Sequence, residues 1–268
     1  MNQKSSKKGS IKIELPAIVI VVTLTIAILA YKFIFGDPAN FMGSDPENQP
    51  LPGNYFGIIY KGGPIVPLLM CLNMVVLTFV VERFIALRKA KGKGTIINFI
   101  KDVRNLISHN KVNQAMDLCD KQKGSVANVV FSVLKKYEEV EKEQNMSKEQ
   151  KLVSIQKEVE EATALELPGL EQNLVILATI SSIATLMGLL GTVLGMIRAF
   201  AALANAGAPD SVALAAGISE ALVNTAIGIG TAAIAIIAYN FFTTKIDKLT
   251  YAIDEAGFSI VQTYSANH

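Results

Sequence analysis

A chain of 268 residues would suit one or two soluble domains, but 51% hydrophobic content, no Trp and a mean hydropathy of +0.38 point to lipid surroundings. That composition excludes a disordered chain, and a formal net charge of only +2 excludes a basic field suited to nucleic acid. Cys71, Cys119, His109 and His268 are scattered, so they form no disulfide framework and no zinc or iron–sulfur spacing, and no metal or cofactor is implied.

A helix that crosses lipid needs about 20 mostly apolar residues, because about 1.5 Å of rise per residue must cover a core about 30 Å thick. Four stretches meet that length. The pattern predicts an all-α polytopic membrane protein with four transmembrane helices and a helical cytoplasmic region. Residues 1–35 hold Lys4, Lys7, Lys8 and Lys12 followed by the apolar run Leu15 to Phe35. This beginning fits a signal peptide or an uncleaved anchor. The length of the run, and no convincing small-x-small site around Ala27 and Ala30, favour the anchor.

Residues 36–63 carry Asp37, Asp45 and Glu47 among Pro and Gly, the pattern of an irregular loop on the outer side of the membrane. Residues 64–81 form the second span. Residues 82–171 contain 16 Lys or Arg and 14 Asp or Glu, with Ile97, Ile100, Val103, Leu106 and Ile107 spaced as on amphipathic helices. Within this region the polar stretch 135–151 reads as a solvated helix end or connection, or else as an acidic recognition site. Pro168 and Gly169 are expected to bend the chain at the membrane edge.

Residues 172–244 hold the last two spans, Leu174 to Ile197 and Val212 to Thr244, joined through a short outer connection at 201–211 into an antiparallel hairpin. Residues 245–268 are expected to be a cytoplasmic tail. Basic residues beside the spans, at the N-terminus, from Arg83 to Lys93, and at Lys245 and Lys248, put both termini in the cytoplasm.

On the third span Ser181, Thr185, Gly188, Thr192, Gly195 and Ala199 recur on one narrow helical face. Two readings stay open: close helix packing through small residues, with Gly191 and Gly228 joining Gly188 and Gly195, or a pore lining. On the fourth span Glu220 stands in the apolar run. At about 100° per residue, Asn224 lies about 40° and Thr231 about 20° from its direction, with Thr225 on the flank. A carboxylate in lipid costs about 2.5 to 3.5 kcal/mol, so Glu220 should face protein or water, carry a proton, or reach to a membrane edge. Arg198 reads either as a snorkelling or locally paired cation or as part of an ion path. Catalysis is not indicated: no nucleophile with a nearby His, no metal cluster and no phosphate-binding Gly-rich loop with its Lys is present.

The strings LATISSIATLMGLLGTVLGMIRAF (177–200) and GISEALVNTAIGIGTAAIAIIAYNFF (217–242) resemble the MotA/TolQ/ExbB proton-channel family, its ExbB and TolQ branch above all. Residues 1–170 resemble it only in layout. The resemblance places functional positions on Thr192, Glu220 and Thr225. It implies a bacterial inner-membrane pentamer, which makes the 36–63 loop periplasmic, and a central pore holding the helices of two ExbD-like or TolR-like single-span partners. It also implies proton flow that does work through a TonB-like or TolA-like protein. The alternatives are a TolQ-like envelope-maintenance role, a motility stator, or a non-conducting membrane scaffold. The sequence departs from the family where Thr185 replaces a usual Pro, where Asn224 replaces a small residue beside Thr225, and where an extra first span precedes the three family-type spans.

Overall fold

The computed structural model describes residues 11–204 and 210–267. Lys4, Lys7 and Lys8, residues 205–209 of the 201–211 connection and His268 lie outside the described residues. Among those described, the chain is all-α, with no strand beyond the single bridged pair Phe41 and Pro50. Four helical stretches are long and apolar enough to cross a membrane: Pro16–Phe35, Gly63–Ala90, and one each within Lys148–Leu203 and Ser211–Asn267.

The chain divides into two compact units, Met1–Val80 with Ile176–Ala238, and Val81–Val175 with Tyr239–His268. The first begins with α1 (Ile11–Ala30), which continues as a wider π-turn over Tyr31–Phe35. Ile18, Val21, Ile26 and Leu29 of α1 are exposed, whereas Thr23 and Ala27 are buried. Such an aliphatic surface would be unstable in water, and lipid would cover it. On the buried side Thr23 Oγ1 donates to Val19 O at 2.7 Å and lies 3.4 Å from Cys71 Sγ.

Cys71 belongs to α3 (Val66–Ala90). The connection before α3, read from sequence as irregular, is organised by two asparagines. Asn54 Oδ1 accepts from Phe56 N at 3.0 Å and Gly57 N at 3.1 Å, capping the short helix α2 (Tyr55–Tyr60). Asn40 Nδ2 donates to Ile34 O at 2.8 Å, tying the loop back to the end of the first span.

The second unit contains α4 (Ile96–Ser108), α5 (Val112–Gln122), α6 (Ser125–Lys142) and α7 (Lys148–Glu171). Its amphipathic helices bury Val103, Ile107, Val133, Leu134 and Ile155. Gly92 and Gly124, at φ +73° and +86°, let the turn after α3 meet the α5–α6 turn. A Cβ on Gly124 would lie 2.9 Å from the Gly92 Cα.

The polar stretch 135–151 is the end of α6, a short turn and the start of α7. Ser147 Oγ accepts from Gln150 N at 3.3 Å while Gln150 Oε1 accepts from Ser147 N at 2.9 Å, a reciprocal cap that fixes where α7 begins. Pro168 lies inside α7. The break comes later, at Asn173, where φ is +65°.

Within residues 245–268, expected to be a tail, the described residues 245–267 are the helical end of α9 (Ser211–Asn267). They bury Ile246, Leu249, Ile253 and Ile260 in the second unit, and the Tyr264 ring meets Tyr137 edge-on at 4.7 Å between centroids. Arg83 is 2% exposed, with Nε 2.6 Å from Glu82 Oε2 and Nη1 3.3 Å from Leu170 O.

Candidate functional site

The sequence places its polar set on α8 (Leu174–Leu203) and α9. Small residues let these two antiparallel helices approach until backbone touches backbone. A Cβ on Gly195 would lie 2.6 Å from Ala221 N, and one on Gly217 2.7 Å from Ala199 N. Further along, a Cβ on Gly188 would lie 3.2 Å from the Gly228 Cα, and one on Gly228 2.6 Å from Ala184 O. Gly191 leaves room for the Asn224 side chain, whose Cγ would be 2.6 Å from a Cβ there. Much of the small-residue face of α8 is thus occupied by α9 of the same chain.

Within this seam the hydroxyls of Thr192 and Thr225 hydrogen-bond to each other. Thr225 Oγ1 also contacts Ala221 O at 3.1 Å, and Thr192 Oγ1 contacts Gly188 O at 3.2 Å. Asn224 is fully buried; its Nδ2 donates to Gly62 O at 2.8 Å, while its Oδ1 is buried with no hydrogen-bond partner among the described residues. Thr231, 1% exposed, accepts from Asn73 Nδ2 at 3.1 Å. Thr185 and Ser181 bond locally instead, Thr185 Oγ1 to Ser181 O at 3.1 Å and Ser181 Oγ to Ala178 O at 2.7 Å.

Glu220 is 6% exposed. Arg198 Nη1 lies 2.6 Å from each of its carboxylate oxygens, while the Arg198 side chain is 54% exposed. Burying the acid is compensated by a charge-assisted contact, and the arginine keeps much of its hydration. Gly63, at φ +77°, stands where a Cβ would run into this carboxylate.

The pair borders an open cavity of about 500 Å³ that is also lined by Tyr31, Tyr60, Lys61 and Glu47. Tyr31 and Tyr60 stack at 4.8 Å, and Tyr31 Oη donates to Tyr60 O at 2.9 Å. Lys61 Nζ donates to Glu47 O at 3.0 Å. An open cavity bordered by a buried acid, an arginine and a lysine offers charged groups to water or ions that enter it. Among the described residues no His, Cys, Asp and Glu cluster is placed to hold a metal.

Sequence reasoning brought forward Glu220, Arg198 and the threonines but missed Asn73, Tyr31, Tyr60 and Lys61. Asn73 had a signal: it is an amide in the apolar second span, and such groups seek partners on other helices. The tyrosines and Lys61 lie at the ends of apolar runs, where their types are ordinary.

Residues 126–255 match the MotA/TolQ/ExbB proton channel family. The chain is 39% identical over 84 residues to the Tol-Pal system protein TolQ of Haemophilus influenzae, covering 31% of this chain and 37% of that protein. It is 41% identical over 88 residues to TolQ of Pseudomonas aeruginosa, covering 33% and 38%. To the biopolymer transport protein ExbB of Salmonella typhimurium it is 41% identical over 85 residues, covering 32% and 35%. The matches thus span little more than a third of these relatives' own length. The match to the MotA/TolQ/ExbB proton channel family takes in just under half of the chain and includes Thr192, Glu220 and Thr225.

Proposed function

We propose that the chain is a multi-pass inner-membrane subunit of a proton channel that couples the proton motive force to mechanical work. It assembles as a pentamer with N- and C-termini in the cytoplasm. Two ExbD-like or TolR-like single-span partners occupy the central pore, membrane lipid surrounds the assembly, and a TonB-like or TolA-like protein delivers the work, energising transport across an outer membrane. Thr192, Glu220, Asn224, Thr225, Thr231, Thr185 and Ser181 flank the route, and Gly188, Gly191, Gly195 and Gly228 hold the helices together. The chain moves ions and has no catalytic role.

The reading rests on one observation: a buried carboxylate, Glu220, borders a water-accessible cavity in the segment that matches a proton channel family. A carboxylate kept out of lipid beside water is where a membrane protein handles ions. Relatives bearing both the TolQ and the ExbB names support the family role at the same level. A TolQ-like envelope role and a motility stator are close variants of this reading.

The glycine seam favours a second reading, a scaffold whose helices only pack. Proton flux into liposomes containing the chain and its single-span partner separates the two. Flux should require the partner and fall at least about tenfold in Glu220→Gln, the loss of roughly 1.4 kcal/mol of stabilisation along the route. No flux above that of protein-free liposomes, with the partner present, would establish the scaffold, whereas flux unchanged by Glu220→Gln and by Thr225→Val would overturn the roles given to those residues.

A further inference from the structure

In the second unit, a cavity of about 390 Å³ opens where α3 and α9 leave their apolar stretches. Its lining combines Phe84 and Phe241 with four cations, Arg88, Lys91, Lys245 and Lys248, and no acid lines it. Phe84 is 56% and Phe241 48% exposed, so two aromatic faces stand open beside the charges. Lys245 Nζ sits 5.4 Å from the centroid of the Phe241 ring.

We infer that this cleft is a binding site for an anionic phospholipid, with the phosphate among Arg88, Lys91, Lys245 and Lys248 and the upper acyl chain against Phe84 and Phe241. Charge complementarity selects the headgroup: four cations without a carboxylate attract a net negative lipid and give a zwitterionic one no comparable gain. The apolar wall selects a lipid over free phosphate, which would leave the aromatic surface wet. The position agrees, because both helices reach the cleft directly after an apolar run of membrane-spanning length, where headgroups lie.

The inference uses the membrane reading of α3 and α9 and is independent of proton conduction. The chain contains no Trp, so Phe84→Trp supplies a single fluorophore in the cleft, with Phe241→Trp as a second reporter should the first variant fold poorly. The full chain is reconstituted in phosphatidylcholine vesicles containing a small fraction of brominated phosphatidylglycerol or brominated phosphatidylcholine. Brominated phosphatidylglycerol should quench the cleft Trp severalfold more than brominated phosphatidylcholine. Lys245→Gln with Lys248→Gln should weaken phosphatidylglycerol binding by about 25-fold, since each cation near a headgroup strengthens it by about fivefold, and so bring the two quenching levels together.

A Leu77→Trp reporter on the apolar part of α3 should be quenched equally by both lipids; absence of quenching there would sink the membrane reading itself. With that control quenched, three results would overturn the lipid site. They are equal quenching of the cleft Trp by both lipids, quenching by neither because a neighbouring copy covers the cleft, or loss of the preference on adding inorganic phosphate at moderate ionic strength.

Discussion

The hydroxyl of Thr192 on α8 meets that of Thr225 on α9, about one and a half helical turns from the point where Arg198 holds Glu220. The two threonines therefore act on one shared hydrogen bond. We expect Thr192→Val and Thr225→Val to be non-additive, with a coupling of about 0.6 kcal/mol, the size typical of hydrogen bonds between membrane helices. Denaturation followed by circular dichroism in detergent measures it, and strictly additive losses would show that the bond contributes nothing.

Removing Arg198 leaves the Glu220 carboxylate in its buried position without a counter-ion. We expect Arg198→Ala to destabilise the protein by about 1 to 2 kcal/mol, less than the roughly 3 to 5 kcal/mol of a fully buried pair because the arginine is half-exposed. Adding Glu220→Gln should recover most of that loss, because a neutral amide needs no counter-ion. A double variant no more stable than Arg198→Ala would place the penalty somewhere other than the stranded charge.

How much of this was legible in the sequence differs by element. Spans are set by length and apolarity, so their approximate extents were readable, and Glu220 stood out because an acid in an apolar run must be accounted for. The turn at Ser147 was also there to be read: Ser followed three residues later by Gln is a helix-start signature, but the surrounding polarity masked it. Pro168 and Gly169, expected to bend the chain, lie inside α7, which ends only where the backbone turns left-handed at Asn173. The partners of Asn73 and Tyr31 depend on which helices meet in space. That information is carried by tertiary packing and not by local spacing.

Two glycines with opposite surroundings separate packing from flexibility. A Cβ on Gly195 would press on Ala221 N and Gly217 O, whereas nothing lies within 4 Å of one on Gly169 in α7. We expect Gly195→Ala to destabilise by about 1 to 3 kcal/mol through forced separation of the helices. Gly169→Ala should stabilise by about 0.5 to 1 kcal/mol by restricting the unfolded chain. Thermal denaturation of both variants provides the comparison, and equal effects would mean that the α8–α9 seam is looser than these distances imply.

Burial, with a smaller contribution from the charge of Asp120, pushes the Cys119 thiol up to about 12. A free thiol titrates near 8.5, so the thiolate at neutral pH should be roughly a thousandfold scarcer than in an exposed cysteine. In a Cys71→Ala background, N-ethylmaleimide should label native protein very slowly and dodecyl-sulfate-denatured protein at once. Because the folded value lies above the unfolded one, the thiol's contribution to stability is complete below the unfolded value and is lost as pH rises toward 12. Rapid labelling of the native protein at neutral pH would contradict the buried placement.

Backbone-to-backbone contact between α8 and α9 at Gly195, Gly217, Gly188 and Gly228 has a mechanical consequence. At these four glycines no side chain stands between the backbones to act as a bearing, so sliding one helix along the other by even a residue would drive a Cα into a carbonyl. The hairpin is thereby made into a single stiff lever. Under the proposed function, a stroke would have to swing both helices together or be absorbed by side-chain rotation, because shear along their common axis is blocked.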